Sequence, residues 1–184
     1  MMLKRMVQLV AVVGSLAVVT TAQAQKAHVQ NAPVRQGFWF SGGLGMGSLG
    51  CDNCGTSREN GLSGDFSAGG TLSPRWLLGV GSAGWSKSEQ GGRMTMATLD
   101  VRARFYPWTT GGFFVTGGIG GASVRESVGG ISATESGVGA LFGVGYDYRV
   151  ARNTSVTPYW NGFGMRNNNT DANVGQIGLA ITLH

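Results

Sequence analysis

Charge, histidine, cysteine, proline and long apolar runs are all scarce in this chain of 184 residues, of which 12% are charged, two are His, two are Cys and four are Pro. Basic residues this sparse and unclustered do not make a nucleic-acid surface, and the formal net charge of +5 already includes Lys4 and Arg5 at the start. The two histidines, His28 and His184, stand near opposite ends of the chain. They supply neither the ligands of a zinc site nor the positioned base of a hydrolytic triad, so no catalytic residue, metal site or cofactor is expected. After the first two dozen residues, no apolar run approaches the roughly 20 residues that a spanning helix needs. Glycine, by contrast, is abundant at 33 residues, far above the ordinary share of roughly 7%. It is spread through apolar and aromatic segments, without the proline of collagen or the charge of a disordered linker.

The start has a recognisable layout. Lys4-Arg5 precedes an apolar run from Val7 to Val19, and Ala22-Gln23-Ala24 offers a small-residue cleavage site. Residues 1–24 therefore read as a secretory signal peptide and 25–36 as a polar tail. Residues 37–184 form one domain. In an exported protein, Cys51 and Cys54, spaced Cys-Asp-Asn-Cys, suggest a short loop disulfide.

Within that domain eight segments alternate apolar with small or polar residues, at period two. They lie near Gly37–Leu49, Gly61–Leu72, Trp76–Ser86, Thr95–Tyr106, Gly112–Val124, Ser136–Val150, Val156–Met165 and Asn173–His184. In the fourth, Ala97, Leu99, Val101, Ala103 and Phe105 oppose Thr98, Asp100, Arg102, Arg104 and Tyr106. The links around Pro74, Pro107–Thr110 and Ala151–Thr154 are short. Those at Cys51–Asn60, Lys87–Met94, Arg125–Glu135 and Arg166–Ala172 are longer and more polar. That rhythm predicts an all-β fold, a single antiparallel up-and-down transmembrane barrel of about eight strands with both termini in the periplasm. Trp39, Phe40, Trp76, Phe105, Trp108, Phe113, Phe114, Tyr146, Tyr148, Tyr159 and Trp160 cluster near strand ends, as an interfacial girdle would. A soluble lipocalin-like binding barrel would reverse the two faces, and the alternation alone leaves that reading open.

The Gly-Phe-Trp-Phe-Ser-Gly-Gly-Leu-Gly opening at Gly37–Gly45 and the Gly-Leu-Ala-Ile-Thr-Leu-His ending resemble the small outer-membrane β-barrel family, the OmpA-like, OmpX-like and OmpW-like proteins. The resemblance covers essentially the whole chain after residue 24. It implies outer-membrane lipid, lipopolysaccharide and the barrel assembly machinery as partners. Those barrels often end in an aromatic residue used in assembly, whereas the last residue here is His184. At eight strands the lumen is just wide enough to be filled by side chains. Asp65, Asp100, Arg102, Arg104, Asp147 and Arg149 are then expected to pair inside it, because isolated buried ions are costly. The expected function is non-enzymatic, a structural or surface-interaction role through extracellular loops whose ligand is unknown. A narrow channel for small or hydrophobic solutes is the alternative.

Overall fold

The computed structural model describes residues 35–51, 58–89, 91–167 and 171–184. The signal segment, the tail up to residue 34, Cys54 and the side chain of Cys51 lie outside the described residues. Nine β-strands succeed one another: β1 (Phe38–Cys51), β2 (Glu59–Ser73), β3 (Trp76–Glu89), β4 (Gly92–Phe105), β5 (Phe113–Val128), β6 (Ile131–Tyr146), β7 (Tyr148–Ala151), β8 (Thr154–Arg166) and β9 (Asp171–Leu183). All pair antiparallel, and β6 closes onto β8. The interruption between β6 and β7 is a single residue, Asp147. Pairing with β8 keeps one register across it, with Gly145 opposite Tyr159 and Tyr148 opposite Val156. The two therefore form one stave, and the barrel has eight. Closure leaves no open sheet edge, which is what a strand-built protein needs in a solvent that cannot satisfy backbone groups.

Following the pairing once around the wall shows how steeply the strands lean. Trp39 faces Gly69, then Gly79, Arg102, Gly118, Leu141, Phe163 and Val174, and the path returns to β1 at Leu49. A stagger from position 39 to 49 over eight staves tilts the strands by about 40° and gives a backbone radius of about 8 Å. That bore is one that side chains can fill.

The alternation resolves with the greasy face outward. Phe38 is 85% exposed and Ile119 71%, and Leu44, Met46, Leu99 and Ile177 likewise stand out from the wall. Asp65, Asp100, Arg102 and Arg104 point into the bore and are buried. Each large apolar side chain turned outward forgoes roughly 1.5–3 kcal/mol in water, so a continuous band of them belongs in lipid. The soluble lipocalin-like reading would require the opposite sense.

At the end where β1 begins and β9 finishes, hereafter the near end, the Ser73 hydroxyl accepts bonds from the backbone N–H groups of Arg75 (3.3 Å) and Trp76 (3.2 Å), fixing a tight turn. The far end departs from expectation. The polar stretches Lys87–Met94 and Arg125–Glu135, read from sequence as loops, are mostly strand. Polarity there marks only the exit from the apolar band, because water solvates side chains on both faces while the ladder continues. The β5–β6 turn is two residues, Gly129 (φ 59°) and Gly130 (φ 88°), the left-handed pair a tight hairpin demands.

Candidate functional site

The inward side chains stack in layers. At the near end Arg35 closes the bore: its guanidinium donates to Pro74 O (3.3 Å) and Gly111 O and lies 3.5 Å over the Tyr106 ring. Beside it Trp39, Leu77, Tyr106 and Phe114 form a buried apolar cluster. Arg104 spreads across this cluster, 4.1 Å from the Phe114 ring centre and 4.9 Å from that of Trp39. Asp147 accepts bonds from Tyr106 Oη and Thr157 Oγ1, both at 2.7 Å. His184 Nε2 lies 3.3 Å from the same carboxylate. A run of hydroxyls extends this group, Thr157 to Thr182 (2.8 Å) and Thr182 to Ser41 (2.9 Å).

Deeper in the bore Arg102, 1% exposed, binds two carboxylates at once. Its Nε and Nη2 each donate to Asp100 at 2.8 Å, and Nη1 donates to Asp65 at 2.7 Å. Asn161 Nδ2 adds a bond to Asp65 (3.2 Å). A bidentate fork plus a third bond is the geometry that best offsets the cost of burying these ions. Two glycines make the space. A Cβ on Gly81 would lie 2.4 Å from the Arg102 guanidinium carbon, and one on Gly118 2.3 Å from Asp100 Oδ1.

Beyond the ions the bore becomes apolar. Leu49, Ala83, Trp85, Met96, Leu141, Phe163, Met165 and Val174 pack into one buried cluster, and Trp85 Nε1 finds Gly47 O at 3.0 Å. Above it lies a shallow cup of about 230 Å³ lined by Trp85, Met94, Glu59, Lys87, Glu89 and Glu126. Lys87 bridges Glu59 and Glu89, the latter at 2.6 Å.

Five of the six residues expected in an internal ion network do lie in the lumen, but in separate groups: Asp65, Arg102 and Asp100 together, Asp147 with the hydroxyls and His184, and Arg104 on aromatic faces. Arg149 is a correction. It sits at the near rim and folds back on its own strand end, Nε donating to Ala151 O (3.2 Å) and Nη2 to Arg152 O, because the tilted stave has left the bore by that point. Arg35, in the segment read as tail, supplies the third buried cation instead. The aromatic girdle needs a matching correction. Trp39, Phe114 and Tyr159 are buried inside, while Phe40, Trp76, Trp108, Tyr148 and Trp160 face out. Parity held the answer: Trp39 shares its face with Ser41, Phe114 with Thr116, and Tyr159 with Asn161. No group of three acidic, His or Cys side chains able to hold a metal occurs among the described residues. Ser41 shares its hydrogen bond with Thr182 and is 2% exposed.

A closed eight-stave barrel with ions inside and an apolar band outside is a transmembrane barrel by construction. The sequence agrees: residues 11–184 match the outer membrane protein beta-barrel domain, and the chain belongs to that family. No curated protein matches it in sequence. Among solved structures it is similar to Neisserial surface protein A (TM-score 0.60, 16% identity, covering 79% of this chain and 96% of that one). It is also similar to Ail, the attachment invasion locus protein of Yersinia pestis (0.54, 11%, 80% and 99%), and to the N-terminal barrel of Pseudomonas aeruginosa OprF (0.51, 13%, 80% and 98%). The protein is an integral outer-membrane β-barrel.

Proposed function

We propose that this barrel neither conducts nor catalyses, and that it acts through its far-end surface, which faces outward from the cell while both chain ends lie on the periplasmic side. The observation that carries the reading is the double occlusion of the bore: an ion layer around Arg102 and, above it, the apolar cluster around Trp85 and Met96. Either layer alone would obstruct hydrated solutes, and the two differ in chemistry, so no single ligand slips through both. The far-end surface is the part left to meet other molecules, built on hairpins held rigid by continuous pairing. Neisserial surface protein A and Ail carry surface and attachment roles in their names, and one Ail structure holds the heparin analogue sucrose octasulfate. Those roles belong to those proteins, and the shared fold makes a surface role a natural one to test here.

Reconstitution of the full chain in planar bilayers is the test. Silent bilayers are expected at all voltages where the barrel stays folded. Discrete, ion-selective openings would overturn the reading in favour of a narrow channel.

A further inference from the structure

Between the ion layer and the apolar cluster, three buried side chains carry polar atoms that nothing among the described residues meets: Ser63 Oγ, Tyr159 Oη and both amide atoms of Gln176. The three residues are 3%, 8% and 1% exposed. Buried polar groups are almost always partnered, by protein, by water or by an ion, so a set of them without protein partners marks a place for a ligand. The register brings the three together from β2, β8 and β9. Gly45 of β1 faces Ser63 on one side and Gly178 on the other, and Gly178 faces Tyr159. A Cβ on Gly178 would stand 2.6 Å from Tyr159 Oη. That hydroxyl therefore lies over β9, two strand spacings or about 10 Å of wall from Ser63. Gln176 faces Gly47, and a Cβ on Gly47 would lie 3.3 Å from Ser63 Cβ. Gly45 and Gly47 thus put no side chain between the three. The Cβ on Gly47 would also lie 2.9 Å from Trp85 and 3.0 Å from Val174, so the apolar cluster roofs the group.

Charge decides which ligand. Asp65 and Asp100 share the single cation Arg102, which leaves one negative charge in excess, and Arg104 is held instead on the faces of Trp39 and Phe114. Asp65 borders the group, two residues beyond Ser63 on the same face of β2. Both bonds recorded to its carboxylate, from Arg102 and Asn161, fall on Oδ2, which leaves Oδ1 for a further partner. Arg102 reaches Asp65 from the β3 side, over Gly81. The inward faces of β1, β8 and β9, on the other side, carry no charged residue.

We infer that the bore holds an alkali cation, sodium or potassium, over Gly45, ligated by Asp65 Oδ1, Ser63 Oγ, Gln176 Oε1 and Tyr159 Oη. One carboxylate with neutral oxygens is a donor set for a hard cation, and a single positive charge balances the ion layer. An anion meets the wrong charge there, and a divalent ion finds too few carboxylates, since no group of three acidic side chains occurs among the described residues. Sealed by Trp85 and Val174 on the far side and by Arg35 on the near side, the ion is enclosed as the barrel closes. The inference does not depend on which end faces out of the cell.

The test refolds the full chain from urea into nonionic micelles at fixed ionic strength, with sodium or potassium chloride exchanged against N-methylglucamine chloride, an organic cation too large for the bore. A tenfold rise in the alkali cation is expected to raise the folding equilibrium constant about tenfold once the site is mostly filled. Q176L removes one oxygen without changing charge, and should flatten that dependence to under about twofold on the same scale. E89Q, at the solvated mouth, should keep it. Crystals grown in rubidium chloride should show one anomalous peak over Gly45. Identical midpoints in sodium, potassium and N-methylglucamine would overturn the inference and leave ordered water as the partner of these atoms. A response to calcium chloride alone, a dependence retained by Q176L or lost by E89Q, or no rubidium peak would each overturn it as well. Heat-dependent gel migration verifies folding. If Q176L does not fold, S63A should flatten the dependence in the same way, and its persistence in S63A counts against the site.

Discussion

The two halves of the bore solve the same packing problem with opposite chemistry. The half toward the near end is filled by Arg35, Arg102, Arg104, Asp65, Asp100 and Asp147, three cations and three anions, wrapped in aromatic rings and hydroxyls. The far half is filled by Trp85, Met96, Leu141, Phe163 and Val174. A soluble protein has one core that excludes water by being apolar. Here the band outside meets lipid, so the inside is free to be either, and it is both. The ionic half gains directionality, since Arg102 fits only where its fork meets Asp100 and Asp65. The apolar half gains tolerance, since dispersion contacts can be remade after a small shift.

That contrast is broken most severely at Arg102. R102L leaves Asp65 and Asp100 buried without their cation, and breaking one partner from a buried pair costs about 3–5 kcal/mol. The expected outcome is a large fall in the urea midpoint of the barrel in detergent, and R102L/D65N/D100N should recover most of it. A triple variant no more stable than R102L would show that the ions are not the cause.

In the far half, M96A is expected to cost about 2–4 kcal/mol, by lost transfer energy and a residual void, with no charge compensation able to restore it. Bilayers with M96A should stay silent, because the ion layer beneath still seals the bore. If M96A conducts, the far half alone is the seal and the contrast between the halves is functional rather than architectural.

The sequence made the barrel legible because its evidence is periodic. Alternation in the segment Ala97–Tyr106 separates Leu99 and Val101 from Asp100 and Arg102, and closure around eight staves follows from the number of such segments. The ion cluster was legible in part for the same reason, as parity puts Asp65, Asp100, Arg102, Arg104 and Asp147 on one face. It could not show which of them touch. Partners across the bore are set by the stagger of the wall, which brings Asp65 of β2 to Arg102 of β4, and stagger is not written in any one strand. Arg35 was invisible because it belongs to no alternating segment. Nearness to a strand end assigns Trp39, Phe114 and Tyr159 to the girdle, whereas parity puts all three inside the barrel. The far-end hairpins look like loops in the sequence because polarity resembles the end of a strand, when it marks only the exit from lipid.

Smaller than either deletion is the effect of a single methyl group at the boundary of the ion layer. On Gly118 it would press against Asp100, whose carboxylate is already committed to Arg102, so G118A is expected to cost about 1–3 kcal/mol through forced repacking. On Gly121, three residues further along β5 and on the outward face, a Cβ meets nothing within 4 Å, and G121A should stay within about 0.5 kcal/mol of wild type. Equal effects at the two positions would mean that the ion layer yields as readily as the lipid-facing surface, against the directionality assigned to it.

The smallest effect lies at the far mouth, where ions are again paired but in water. Lys87 is held above its usual value by its hydrogen bonds to Glu59 and then Glu89, and the hydrogen bond from Lys87 holds Glu89 below the usual carboxylate range. The signs set a window. The Glu89 contribution is present at neutral pH and lost as pH falls through its lowered folded value, and the Lys87 contribution is lost as pH rises through its raised one. Glu89 is exposed and Lys87 half-buried at the solvated mouth, so salt screens them and surface pairs of this kind contribute little. K87A is therefore expected to leave the urea midpoint nearly unchanged at neutral pH, and any difference from wild type should vanish in high salt. A large, salt-resistant loss on K87A would mean that the mouth couples to the apolar half beneath it through Trp85, and that the far end is a third structural layer instead of a solvated rim.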